Sequence, residues 1–166
     1  MKKQPIATVL LTLLILLTIA FIFENSARRE QVSSERSTAV AEAITPIPRS
    51  EYEKPSDWSV FIQHVRKVAH AVEFFVLGLE LSALFFFVLK KNGLWQRIWN
   101  ALSILLAVAV TDESIQILSK RGPKVEDVLL DFCGAAVAAV LALLIYGLVY
   151  WRNKRKLHRK GETLWK

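Results

Sequence analysis

Ionisable side chains occur inside long apolar stretches of the sequence, where their types and spacing suit acid–base chemistry or the binding of a charged ligand. His70, Glu73 and Glu80 fall in the stretch 68–89, within an arc of about 80° on an α-helix that turns about 100° per residue. A charge in lipid costs about 2.5–3.5 kcal/mol, so such groups normally face a partner or a wet cavity. Further candidates end the next apolar stretch or begin the one after it: Asp112, Glu113, Gln116, Asp127 and Asp131.

Four apolar stretches must position these residues: 6–23, 68–89, 98–118 and 128–149. Each has about twenty residues, enough to cross a hydrocarbon core of about 30 Å. Because the 53% of hydrophobic residues are pooled in these stretches, the sequence predicts an all-α polytopic membrane protein with a small bundle of four transmembrane helices. The first stretch is predicted to be a retained helix, since it is longer than the apolar region of a signal peptide.

Polar segments flank these stretches. Residues 1–5 form a short N-terminus, and the segment 24–67 is predicted to be a mostly irregular or partly helical loop over the membrane. Within it, a helix near 57–66 either lies at the interface or simply extends the second span, and the pattern allows both. The basic tail 150–166 follows the core 68–149 and favours a cytoplasmic position for both termini.

The net charge of +7 does not indicate nucleic-acid binding, because much of the basic excess directly follows an apolar stretch. We expect the tail to contact anionic lipid headgroups instead, so membrane lipids are the first predicted partners. The single cysteine, Cys133, excludes an internal disulfide and is expected to be a small buried hydrophobic residue. No cofactor and no nucleic-acid partner are predicted, and the sequence leaves oligomerisation open.

The predicted topology brings the candidate residues together. With both termini inside, the second span enters from the outer surface, the third ends there and the fourth begins there. The candidates therefore converge in the outer half of the bilayer, and inverting the protein would move the group without dispersing it. Basic residues are expected at the same surface: Lys67, Lys120, Arg121 and Lys124.

Three interpretations of this cluster stay open. Its carboxylates pair with nearby cations and fix helix register; or the cluster binds a charged lipid or lipid-linked headgroup; or His70 or a carboxylate acts as a general base. A single histidine with several carboxylates is also compatible with Mg²⁺ or Zn²⁺, but no ligand spacing is diagnostic of a metal. Small residues four apart, Gly134 and Ala138, are expected to allow close helix packing.

Two motifs, KVAHAVEFFVLG at 67–78 and TDESIQ at 111–116, contain many of these residues, and together they resemble the signatures of the VanZ-like membrane proteins. The segment 67–78, KVAHAVEFFVLG, is similar to the first family signature: a lysine, a histidine three residues on, an acid–aromatic pair and Leu-Gly. The segment 111–116, TDESIQ, followed by Arg121, Asp127 and then Asp131 before Gly134, resembles the second. Two positions depart from the pattern: Phe74 stands where the family usually has tyrosine, and Ala138 where it often has a second glycine.

This resemblance implies a bacterial cytoplasmic-membrane protein of the cell envelope. One branch of the family is associated with resistance to the lipoglycopeptide teicoplanin, so a lipid, a lipid-linked cell-wall precursor or a lipophilic drug is the expected ligand of an outer-leaflet pocket. The alternatives are a small membrane enzyme acting on a lipid-linked substrate and a structural membrane protein. The pocket would comprise Lys67, His70, Glu73, Asp112, Glu113, Gln116, Arg121, Asp127 and Asp131, with Gly78 and Gly134 as packing residues.

Overall fold

The computed structural model describes residues 4–28, 30–45, 55–89, 91–118 and 125–163. These residues are helical apart from short connections, and no strand occurs among them, which confirms the all-α prediction. The helices are α1 (Gln4–Ala27), α2 (Glu30–Ile44), α3 (Pro55–Ser82), α4 (Leu94–Leu118) and α5 (Val125–Thr163), with a π-helical segment, Ala83–Val88, directly after α3.

Four helical segments are long and apolar enough to cross a membrane: Ile6–Ala27, Ser56–Val88, Leu94–Leu118 and Val125–Lys156. They confirm the prediction of a four-helix membrane protein. The outward side chains of α1, such as Leu10, Leu13 and Leu17, are exposed, and in a bilayer they would contact lipid. The inward side chains form one apolar core that joins α1, α3, α4 and α5.

The long polar segment contains a helix of its own. α2 packs on the beginning of α3 through a small apolar cluster in which Ala41 contacts Trp58 and Ile62. The segment 57–66, for which the sequence left two interpretations open, is part of α3 and continues without a break into the span. A proline at the first position of α3 suits this helix start, because its missing N–H would have no intrahelical partner there.

α3 and α5 run parallel and touch backbone to backbone. A Cβ atom added to Gly78 would lie 2.6 Å from the carbonyl oxygen of Ala135 and 2.9 Å from the Cβ of Ala138. A Cβ atom on Gly134 would lie 2.5 Å from the carbonyl oxygen of Ala71. Both glycines therefore permit a helix approach that any side chain would prevent, and this contact is the closest form of packing that membrane helices use.

The far end of the bundle is held by a buried arginine. Arg97 of α4 donates hydrogen bonds to the carbonyl oxygen of Phe86, at 3.2 Å, and to the hydroxyl of Tyr146, at 3.3 Å. Its guanidinium also lies 5.3 Å from the centre of the Tyr146 ring. Phe86 lies in the last turn of the π-helical segment, and the last carbonyl groups of a helix have no intrahelical partner, so this one is available to a side chain.

We predict that Gly78→Ala and Gly134→Ala lower the free energy of unfolding by about 1–3 kcal/mol each, because the new methyl group forces α3 and α5 apart. Gly147→Ala is the matched control, since Gly147 also lies in α5 and nothing stands within 4 Å of an added Cβ. Unfolding in detergent, followed by circular dichroism, measures the difference. Equal losses in all three variants would contradict the packing role.

Candidate functional site

The predicted residues of α3, α4 and α5 meet at one end of the bundle. His70, Asp112 and Asp131 come from three different helices, and each offers one ligand atom within 4.8 Å of the others. The two aspartates are almost completely buried, with relative exposures of 0% for Asp112 and 3% for Asp131. The side chains of these three residues therefore converge, as the topology predicted.

Neighbouring side chains hold members of this group in place. Gln116 donates a hydrogen bond of 2.9 Å from Nε2 to Oδ2 of Asp112, four residues earlier on α4. Glu73 lies beside His70, with 3.8 Å between Oε2 and Nδ1, a distance for an ionic contact rather than a hydrogen bond. Glu113 is buried on the same helix as Asp112, at 7% exposure.

α1 also takes part in the site, through a residue to which the sequence analysis gave no role. Nδ2 of Asn25 donates a hydrogen bond of 3.0 Å to Oε1 of Glu73. In the sequence, Asn25 is only an amide near the end of an apolar span. Its role becomes apparent once α1 is known to run antiparallel to α3, which brings Asn25 next to Glu73.

Lys67 has a structural partner. Its Nζ atom lies 3.0 Å from Oδ1 of Asp127, and both side chains are partly exposed. A partly exposed pair of this kind contributes up to about 1 kcal/mol, and it links the middle of α3 to the first turn of α5. The register-fixing interpretation therefore applies to this pair. Three other cations expected at this surface, Lys120, Arg121 and Lys124, lie outside the described residues.

Glu80 lies apart from the cluster, about 10 Å farther along α3 than Glu73, given a rise of about 1.5 Å per residue. Its Oε1 atom accepts a hydrogen bond of 3.0 Å from the hydroxyl of Thr18 on α1. Glu80 shares a helical face with His70 and Glu73, as the sequence spacing indicated. It lies too far along α3, however, to join their cluster. Glu80 joins α1 to α3 in the middle of the span.

A cavity of about 170 Å³ opens on the other side of His70, between the end of α1, the helix α2 and the middle of α3. Its polar lining includes His70 and Glu73 together with Asn25 and Ser37, and its apolar lining comes from all three helices. Three arginines surround it: Arg28, Arg36 and Arg66. This cationic cavity, as we call it, was not predicted, because its position depends on how α2 docks.

The arginines of the cationic cavity differ in their surroundings. Arg28 pairs with Glu24, one helical turn earlier. For Arg36 and Arg66, no ion pair with a carboxylate occurs in the part of the chain that the structure describes. Arg66 also borders a much smaller cavity, of about 10 Å³, whose lining includes His70, Gln116 and Asp131. The other charged side chains of this smaller cavity are Lys67 and Asp127, so His70 lies between the cationic cavity and a small cavity of mixed charge.

The sequence model of the VanZ/LLP1 family matches residues 9–146. The chain belongs to the VanZ/LLP1 family. The match includes the helical surroundings of both cavities, from α1 through most of α5, and it agrees with the four apolar helices of a membrane protein. Comparison with curated proteins and with solved structures gave no significant match.

For this VanZ/LLP1 protein we predict that Thr18→Val lowers the free energy of unfolding by about 1–3 kcal/mol, because the Glu80 carboxylate loses its donor inside the bundle. The double variant Thr18→Val, Glu80→Leu should be more stable than Thr18→Val alone, since no polar group is then left without a partner. Unfolding curves in one detergent provide the comparison. A Thr18→Val variant as stable as the wild type would show that this bond does not hold α1.

Proposed function

We propose that this VanZ/LLP1 protein lies in the bacterial cytoplasmic membrane and binds the phosphate-bearing headgroup of an envelope lipid or lipid-linked precursor in its cationic cavity. The observation that supports this most directly is the placement of Arg28, Arg36 and Arg66 around a cavity next to His70. Guanidinium groups donate paired hydrogen bonds that match the oxygens of a phosphate.

The size of the cavity favours a headgroup over a whole lipid. A volume of about 170 Å³ is below the roughly 300–1,000 Å³ of pockets that enclose drug-sized molecules. Apolar side chains such as Phe21, Val40 and Val65 line it beside the polar ones. This lining suits a molecule with a polar head and hydrocarbon chains that remain in the bilayer.

The proposed orientation places both termini in the cytoplasm and the cavity at the outer surface. Its support is the basic end of α5, with Arg152, Lys154 and Arg155 directly after an apolar span. A cavity at the outer surface would meet lipid-linked cell-wall precursors and lipophilic antibiotics. Resistance to teicoplanin would then follow from binding the precursor or the lipid tail of the drug.

A second candidate function is a membrane enzyme that acts on such a phosphate-bearing lipid. It is supported by a histidine at the wall of the cationic cavity, close to two buried carboxylates. His70 would then act as general base beside the bound headgroup. A lipid that is bound but converted only by the wild type, and not by His70→Ala, would favour this function.

The binding proposal predicts that Arg36→Gln and Arg66→Gln each weaken retention of an isoprenoid phosphate by about 10- to 100-fold, the equivalent of about 1.5–3 kcal/mol for a hydrogen bond to a charged group. Native mass spectrometry of the purified protein, titrated with that lipid, measures the loss. Phosphatidylglycerol and phosphatidylcholine in parallel titrations distinguish a lipid-linked carrier from a general phospholipid. Lys91→Gln is the control, since Lys91 is exposed in the connection between the π-helical segment and α4 and does not line the cavity. Undiminished retention in both cavity variants would rule the proposal out.

For the resistance role we predict that expression in a teicoplanin-susceptible Gram-positive host raises the inhibitory concentration, and that His70→Ala and Glu113→Gln abolish the increase. Glu126→Gln, at an exposed carboxylate at the start of α5, is the control. Immunoblots of membrane fractions establish that all variants insert equally. If both site variants insert normally and keep full tolerance, this pocket does not act in resistance.

A further inference from the structure

We infer that His70, Asp112 and Asp131 form a binding site for one divalent metal ion where α3, α4 and α5 meet. One imidazole nitrogen and two carboxylate oxygens lie within 4.8 Å of one another, and a small movement of each side chain brings all three onto a common ion. The site goes beyond the proposed lipid binding and does not rest on it.

The buried carboxylate of Asp112 provides the second, independent observation. Its side chain has no exposure to solvent or lipid, and Gln116 donates only to Oδ2. Within the described residues, Oδ1 of Asp112 has no hydrogen-bond partner. A buried anionic oxygen without a donor is costly unless a cation occupies the space in front of it. Asp112 belongs to the group of three converging ligands, so the space it shares with His70 and Asp131 is where that cation would lie.

The charges around the site favour a dication. Asp112 and Asp131 are both almost completely buried, and Glu113 is buried one residue from Asp112. Lys67 is paired with Asp127 at 3.0 Å, so its charge is already balanced. A small cavity of about 10 Å³ adjoins His70 and Asp131, and Arg66 and Lys67 line it as well. One divalent ion suits the excess of carboxylates in the converging group itself.

The donor set selects the class of metal. Carboxylate oxygens suit Mg²⁺, Ca²⁺ and Mn²⁺, whereas imidazole suits Zn²⁺ and related transition metals. A site with one nitrogen and two oxygens is therefore best probed with Mn²⁺ and Zn²⁺. Gln116, through Asp112, and Glu73, beside the His70 ring, are positioning residues that fix the orientation of two ligands. Three protein ligands leave a coordination position for water or a ligand oxygen.

The test uses the full chain, purified in detergent without added lipid and stripped with a chelator. Titration with Mn²⁺, with the free ion counted by electron paramagnetic resonance, should give about one bound ion per chain. Asp112→Asn and Asp131→Asn preserve shape but remove a ligand charge. Each should weaken binding by more than about tenfold, since even positioning residues alter metal affinity by about 10- to 100-fold. Glu80→Gln is the matched control, because it removes a carboxylate of the same bundle outside the group.

The unfolding temperature tests metal binding independently of the number of bound ions measured by titration. Mn²⁺ or Zn²⁺ should raise the unfolding temperature of the wild type and of Glu80→Gln, and should have no effect on Asp112→Asn or Asp131→Asn. If both aspartate variants fail to fold, His70→Gln replaces them, because its side chain is only partly buried. Absence of saturable binding by the wild type up to about 1 mM of either ion, the weakest affinity of known oxygen-ligand sites, would overturn the inference. So would equal binding by the wild type and the ligand variants. Because lipid is absent, failure here leaves the binding of a phosphate headgroup unaffected.

Discussion

The close contact of α3 with α5 fixes the geometry of the rest of the molecule. Membrane helices gain little from burying apolar side chains against each other, since lipid is equally apolar, so packing and polar contacts set their register. Gly134 packs on the backbone of Ala71. Ala71 directly follows His70 in α3, and Gly134 lies about one helical turn after Asp131 in α5. The same contact that joins the two helices therefore brings an imidazole and a carboxylate to one depth, where α4 adds Asp112.

The polar side chains of this bundle differ in their hydrogen-bond and ion-pair partners. Lys67 and Asp127 form an ion pair at the partly exposed end, and Glu80 accepts a hydrogen bond from Thr18 within the span. At the opposite end, Arg97 contacts a carbonyl oxygen and an aromatic ring. These contacts stabilise the bundle as it stands. Asp112 differs from them in its burial and its neighbours: its carboxylate is fully buried, and it converges with His70 and Asp131.

The number of spans and the convergence of His70, Asp112 and Asp131 at one end of the bundle were predictable, because long apolar runs and their connections determine both. The cationic cavity was not predictable from the sequence. Its position depends on α2, which has no strong apolar stripe and packs on α3 through a few contacts around Trp58 that no sequence pattern indicates. The burial of single residues could not be predicted either: Arg97, next to a loop in the sequence, is buried, and the expectation that Cys133 is buried was wrong, since it is exposed on α5. Phe74, which departs from the family pattern, is fully buried in the apolar core, where a tyrosine hydroxyl would need a partner.

Segregation of charge distinguishes a binding site from charges that only fix helix packing. If register were the whole purpose, the most stable arrangement would pair arginines with carboxylates, as Lys67 pairs with Asp127. Instead, Arg36 has no ion pair at the cationic cavity, and Asp112 and Asp131 meet on the other side of His70 without a paired arginine or lysine among the described residues. Keeping like charges together in a medium of low dielectric constant is costly. Ligands of opposite charge, an anion among the arginines and a cation among the carboxylates, would offset that cost.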